Sequence, residues 1–274
     1  MCMLEINSAF MKEYDYVFII LVHRNTSDLE KFFLSFNIPN SKVIVVNSYY
    51  DEVTDVAFKN IAITNNSDYI SVPNRGYGAG NNRGCEYALQ NYAFKYLVIS
   101  NADIVINRYL PADILPKNAI IAPRIKTLRG KDQNPYMVLS GQIVDKYKYL
   151  CLKNNWLILL YVYYFVNRLL REAYLVSRIF AKRKFRKISS AHGAHCIIAY
   201  DIIKEFAPIY NERMFLFCEE EHLAKLAATQ NIPIYYCEEI NITHMEDGSV
   251  GITNINQHEN KRKSFVEYYK YWYE

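Results

Sequence analysis

Hydrophobic positions in the first hundred residues fall into short continuous runs separated by stretches with helical spacing. "DYVFIILVH" (15–23) stays apolar until its polar end, as a strand buried on both faces must, and "SDLEKFFLSF" (27–36) follows with Ser27 or Asp28 placed to cap a helix. "SKVIVVNS" (41–48) reads as a second strand and "SDYISVP" (67–73) as a weaker third. The spacing of Cys85, Ala88, Leu89 and Tyr92 predicts a helix over 81–93, and "KYLVISNADIVI" (95–106) predicts a strand interrupted by Asn101 and Asp103. This alternation predicts an α/β fold with a mainly parallel central sheet flanked by helices. In such sheets ligands bind beyond the carboxyl ends of the strands.

From 107 to 150 the periodicity breaks up around Pro111, Pro116, Pro123 and Pro135, leaving short strands such as "AIIAP" (119–123). The segment 154–187 differs in kind. An apolar and aromatic run from Trp156 to Val166 leads into Asn167, Arg168, Arg171, Arg178 and the basic "KRKFRK" (182–187). That run is shorter than the roughly 20 residues needed to span a bilayer. It reads either as an interfacial helix with aromatic and basic anchors or as a core helix with a solvated basic end. Further on, "RMFLFCEEEHLAKLAATQ" (213–230) predicts a helix over 219–230, and "IPIYYCEEI" (232–240) predicts a strand before the polar "THMEDGS" (243–249).

Composition narrows the classes. With 274 residues, 51% of them hydrophobic, the chain can build one sizeable core or two small ones. A net charge of +4, concentrated only around 168–187 and 261–263, argues against a nucleic-acid partner. The six cysteines show no C-x-x-C or zinc spacing, and no signal peptide opens the sequence, so reduced thiols in a cytoplasmic protein are expected.

The stretch "PNRGYGAGNNRGCEYA" (73–88) raises the question of chemistry. Its G-x-G-x-G spacing fails the dinucleotide pattern G-x-G-x-x-G. It is either an irregular loop leading into a helix or a place where backbone must approach a ligand closely. In the second case Asn81 and Asn82, at the expected helix start, would offer amides to an anion such as a pyrophosphate. Asp103, in "SNAD" at a strand end, suits magnesium or manganese, which one or two carboxylates hold against phosphates; an ordinary turn is the structural alternative.

Taken in order, "IILVHRN", "VIVVNSYYDE", "NRGYGAGNNRG", "ISNAD", "AHGAHCII", "FLFCEEEHL" and "ITHMEDGS" resemble the family 2 glycosyltransferases, in particular the bacterial polysaccharide branch that includes rhamnosyltransferases. The resemblance implies a GT-A fold with a Rossmann-like sheet, a nucleoside-diphosphate sugar donor and a divalent metal, Mn2+ or Mg2+. By the same resemblance Asn25 falls near the nucleotide base, and Asn47 stands where the family has a base-binding aspartate. Asn74, Gly76, Asn81, Asn82 and Asn101 would form the nucleotide wall, with Asp103 and His244 as metal ligands. Glu220 takes the place of the catalytic base, with Glu219 beside it as the alternative, and His222 stands where the family has a second acid. Gly193 and Ala194 match an acceptor-side turn.

The expected organisation is a nucleotide-sugar-binding half (1–106), an acceptor-binding and catalytic half (107–250) carrying the 154–187 insertion, and a C-terminal helical tail (251–274). The implied reaction is inverting transfer from a UDP- or dTDP-sugar to a lipid-linked surface polysaccharide, at the inner face of the bacterial cell membrane. Because the resemblance implies lipid-linked acceptors, it favours peripheral membrane contact through 156–187, and the tail, "KRKSFVEYYKYWYE", suggests a second such contact or a homodimer surface. The replacements at Asn47, Glu220 and His222 keep open a second reading, an inactive relative that binds glycans or scaffolds a polysaccharide assembly complex.

Overall fold

The structure is a computed structural model that describes residues 12–177, 183–246 and 257–274. Cys2, Arg178, Lys182 and the end of "THMEDGS" (247–249) lie outside the described residues.

Strand β1 (Glu13–Val22) is the hub of the sheet, hydrogen-bonded in parallel to β2 (Ser41–Ser48) on one side and β4 (Ala93–Asn101) on the other. Both of its faces are covered, which is why Val17, Phe18, Ile19 and Ile20 are fully buried without polar alternation. Helix α1 (Thr26–Ser35) connects β1 to β2, and α2 (Glu52–Thr64) connects β2 to β3 (Asp68–Val72), which pairs in parallel on the far side of β2. Helix α3 (Tyr77–Asn91) then carries the chain back across β1 to β4. The strand order therefore reverses between β1 and β4, opening a crevice at their carboxyl ends.

The same sheet continues through the second half of the chain. Beyond β4 come β8 (His195–Ala199), β6 (Ile120–Thr127), β9 (Ile234–His244) and β5 (Ile104–Arg108), with β7 (Phe185–Ile188) also paired to β9, nine strands among the described residues. Strands β8, β5 and β7 run against the rest. Helices α6 (Tyr200–Phe206) and α7 (Glu219–Thr229) follow β8. A second apolar cluster forms where α4 (Gln142–Lys153), α5 (Leu157–Ser177) and α8 (Gln257–Tyr273) meet, around Tyr149, Leu152, Leu160, Phe265 and Tyr268.

Four local expectations change. The cap of α1 is Asn25, whose side chain accepts the Ser27 N–H; Ser27 and Asp28 belong to the first turn. Helix α3 starts four residues earlier than its periodicity indicates, so Asn81 and Asn82 are buried in the helix interior rather than exposed at its start. Gly78, Gly80 and Gly84 lie within this helix because side chains there would collide with Tyr210, Leu21 and Ile19; close packing on the sheet outweighs their poor helix propensity. The basic run does not prolong α5, since 185–188 forms β7 at the sheet edge. The aromatic tail helix α8 turns largely inward, stacking Tyr269 on Tyr149 and donating from Tyr268 and Tyr273 to Asp145.

Candidate active site

A cleft of about 600 Å3 opens at the strand-order reversal. Its floor is the ends of β1 and β4: Val22 and His23 from one, Asn101 and Asp103 from the other. Asn74, Gly76 and Tyr77, residues 215–217, the turn 192–194, and Glu219 and Glu220 line the rest, the Tyr77 hydroxyl donating to the Gly193 carbonyl at 2.9 Å.

Asp103 and His244 meet because Ile104 and His244 are cross-strand partners of β5 and β9, and the Met245 N–H closes onto the Asp103 carbonyl at 2.9 Å. The Asp103 carboxylate lies 3.3 Å from His244 Nε2. A chain of hydrogen bonds fixes the imidazole. Glu246 can only accept when ionised, so the Gln133 amide NH2 faces it at 2.9 Å. The Gln133 carbonyl oxygen then faces His244 Nδ1, also at 2.9 Å, and this nitrogen carries the proton. In the neutral ring the Nε2 lone pair therefore points at a carboxylate oxygen. Two electron-rich atoms so opposed suit a shared cation, and an oriented second shell of this kind is what metal-bound histidines require. Among the described residues no three His, Cys, Asp or Glu side chains form a cage, so this pair would leave most of a cation's coordination sphere to a ligand.

The glycine stretch serves a close approach. Gly76 sits at φ +104°, and a Cβ there would run into the Phe215 carbonyl, which accepts the Tyr77 N–H at 2.9 Å. Asn82 clamps Tyr210 from both sides, donating to its carbonyl at 2.9 Å and accepting its N–H at 3.2 Å. Helix α3 thereby positions the segment that leads to α7. Phe217 and Cys218, both at positive φ, make the sharp turn into that helix.

Three glutamates open α7, and their surroundings separate them. Glu219 is buried with Oε1 unpartnered, and burial, then the neighbouring Glu220 charge, pushes its carboxyl well above the usual range. Half-buried Glu220 accepts the Gly193 N–H at 3.2 Å; burial and the Glu221 charge bring it up to about 7. Glu221 is buried too, but the Lys148 ammonium at 2.9 Å and the charge of Lys261 outweigh that burial and hold it low.

Of the sequence-derived residues, Asn25, Asn74, Gly76, Asn101, Asp103, Glu219, Glu220 and His244 line the cleft. Asn47, Asn81 and Asn82 do not. Asn47 donates to Asp55 at 2.7 Å and to the Tyr69 hydroxyl at 3.0 Å, and Asn81 donates to the Tyr77 carbonyl one turn back at 3.0 Å. His222 is turned away from the cleft, its Nδ1 accepting from the Trp272 indole at 3.0 Å. His195 is a core residue between Ser100 and Tyr109. Sequence reading missed Tyr77, Gln133 and Glu246. Tyr77 stood inside the glycine stretch, but no local pattern marks the other two.

No protein-family model matches the sequence, and no curated protein matches it in a sequence comparison. Solved structures do match. GalNAc-T7 with UDP, GalNAc and Mn2+ superposes with a TM-score of 0.55 at 10% identity, over 87% of this chain and 44% of its own. The mannosyltransferase PcManGT from Pyrobaculum calidifontis, in complex with GDP-Man and Mn2+, gives 0.50 at 12% identity, over 84% of this chain and 56% of its own. The chain has the GT-A glycosyltransferase fold. It spans about half the length of these two proteins, and at such identity the fold is what is shared; activity has to be argued from the site.

Proposed function

We propose that the chain is a metal-dependent, inverting glycosyltransferase. It moves a sugar, rhamnose being the first to try, from a UDP- or dTDP-sugar to a hydroxyl of a lipid-linked surface-polysaccharide intermediate at the inner face of the bacterial cell membrane. The observation that carries this reading is the joint presence, in one cleft at the strand-order reversal, of the facing Asp103–His244 pair and a separate glutamate with its carboxyl near 7. The two solved neighbours contain a nucleoside diphosphate or its sugar together with Mn2+, which supports the same ligand class.

Asp103 and His244 would hold Mn2+ or Mg2+, with Gln133 and Glu246 orienting the imidazole. The bound cation would neutralise charge on the diphosphate. Asn25, Asn74, Gly76 and Asn101 face the nucleotide, while Asn47, Asn81 and Asn82 act from behind the wall by holding Asp55, Tyr77 and Tyr210. Glu220 takes the proton of the acceptor hydroxyl as its oxygen attacks the anomeric carbon. The bond to the diphosphate breaks on the opposite face and its electron pair leaves with the diphosphate. Glu219, its carboxyl pushed well above the usual range by burial and the neighbouring Glu220 charge, is the alternative base. The 1–106 half supplies the donor wall, and 107–250 supplies the base and the acceptor side.

Helix α5 supports the membrane part of the reading. Ile158, Tyr161 and Phe165 are 80%, 67% and 61% exposed along one stripe, and Arg168 continues it. A thermal-shift panel of UDP, dTDP and GDP with manganese tests the core of the proposal, because a ligand that binds the native state raises its melting temperature. A metal-dependent rise with UDP or dTDP is expected. No rise with any of the three would refute it.

A further inference from the structure

The turn 192–194 lies between the two parts of the proposed machinery and is pinned from several elements. The His192 N–H donates to Asn134 Oδ1 at 2.8 Å, and the Gly193 N–H donates to Glu220 Oε1 at 3.2 Å. The Gly193 carbonyl accepts the Tyr77 hydroxyl at 2.9 Å, and the Ala194 carbonyl accepts the Asn101 N–H at 2.9 Å. One further bond stays within the turn: the Ala194 N–H donates to His192 Nδ1 at 3.0 Å. So held, the His192 ring lines the cleft with its centroid 5.8 Å from that of His244, and Tyr136 packs its ring edge against it.

That last bond decides what His192 can do. A backbone N–H only donates, so Nδ1 must present its lone pair, and the single proton of a neutral imidazole then sits on Nε2. A cation at Nε2 would require an imidazolate. The two neighbouring histidines are thus locked in opposite tautomers. When both rings are neutral, His244 carries its proton on Nδ1, toward Gln133, and turns its Nε2 lone pair to Asp103, whereas His192 carries its proton on Nε2. Among the described residues nothing accepts from His192 Nε2.

We propose that His192 donates its Nε2–H to a diphosphate oxygen of the bound nucleotide, beside the metal and not on it. The inference rests on the functional reading above and assigns a residue to the leaving group. As the bond to the anomeric carbon breaks, negative charge builds on the diphosphate, and a fixed neutral donor stabilises that charge at no cost in reorganisation.

Two substitutions separate this role from the alternatives. In His192→Asn the amide oxygen can replace Nδ1 and keep the Ala194 bond, but nothing reaches the place of Nε2. In His192→Gln the amide reaches that place and gives up the turn bond. With UDP and Mn2+ in calorimetry, His192→Asn should lose about tenfold in affinity, the usual scale for a hydrogen bond to a charged group, and His192→Gln should recover most of it. Binding of Mn2+ alone should be unchanged in both. The reverse order, with Asn retaining UDP affinity and Gln losing it, would make His192 a structural support and overturn the proposal. A loss of Mn2+ affinity without nucleotide would make it a ligand and overturn it equally. Wild-type protein that binds none of the nucleotides with Mn2+ defeats the functional reading itself, whereas wild-type binding with an unaffected His192→Asn defeats this inference alone. Nitrogen NMR of the wild type needs no variant. An unprotonated Nδ1, with an Nε2 proton that shifts on addition of UDP, is expected, and a protonated Nδ1 would refute the assignment.

Discussion

At Glu220 burial and the adjacent Glu221 charge push the same way, and the carboxyl reaches about 7. A base must be ionised to act, so transfer should rise with pH along a limb centred near 7 and level off above it. Glu220→Gln keeps the shape, loses the proton acceptor, and should lower turnover by about 10²–10⁴-fold with donor binding preserved. The stability sign runs opposite to activity. A carboxyl raised in the folded state makes the native protein bind more protons than the unfolded chain between its ordinary value and about 7, so stability falls as pH rises through that window. Glu220→Gln should remove that slope, and denaturant melts at pH 5 and pH 8 would detect it. The Asp103–His244 pair gives a second test at this scale. Asp103→Asn and His244→Ala should each abolish the manganese-dependent part of UDP binding while leaving the melt cooperative. Unchanged affinity in both would remove the metal site.

Between elements, the bond that ties the base-bearing helix to its support is the buried ion pair of Lys148 on α4 and Glu221 on α7, 2% and 4% exposed at 2.9 Å. Removing one partner strands the other charge, so Lys148→Met should cost about 3–5 kcal/mol, and adding Glu221→Leu should restore much of that. Equal losses in the single and double variants, measured by denaturant unfolding, would show that the pair does not hold α7. Sequence pattern could not reveal this bond, because its partners are 73 positions apart. What pattern did reveal was local. The strands β1, β2 and β3 and helix α1 are announced by continuous apolar runs and helical spacing, and the site residues at strand ends follow from them. Helix α3 reads four residues short because Gly78 and Gly80 look like loop; only the close approach of Tyr210 and of Leu21 on β1 explains why they are helical. Helix α4 was missed among prolines and broken periodicity. The Gln133–Glu246 support of His244 was invisible for the same reason as Lys148: it is made by sheet pairing across more than a hundred residues.

On the scale of the whole molecule, the question is what covers α5. Its inner face is fixed: Leu160, Tyr163 and Leu175 are buried, and Asn167 accepts the N–H groups of Val138 and Leu139 at 2.9 and 3.1 Å. The outer stripe through Ile158, Tyr161 and Phe165 cannot rotate inward without breaking those contacts. Among the described residues no helix is long and apolar enough to cross a membrane. The nearby basic run contributes less than its sequence implies, because Lys184 pairs with Glu239 and Arg186 lies over Tyr174. Arg168, Arg183 and Lys187 stay exposed. In vesicle flotation with anionic lipid at low salt, the protein should float, and salt should weaken attachment by screening these groups. Replacing Arg168, Arg183 and Lys187 with glutamine should remove about 1 kcal/mol each and abolish most of the salt dependence. Ile158→Ser with Tyr161→Ser and Phe165→Ser should release the protein at every salt concentration, because that share of the energy is apolar burial. Wild-type protein left in the soluble fraction at low salt would show that α5 meets something other than lipid, and would free the acceptor from any need to be lipid-linked.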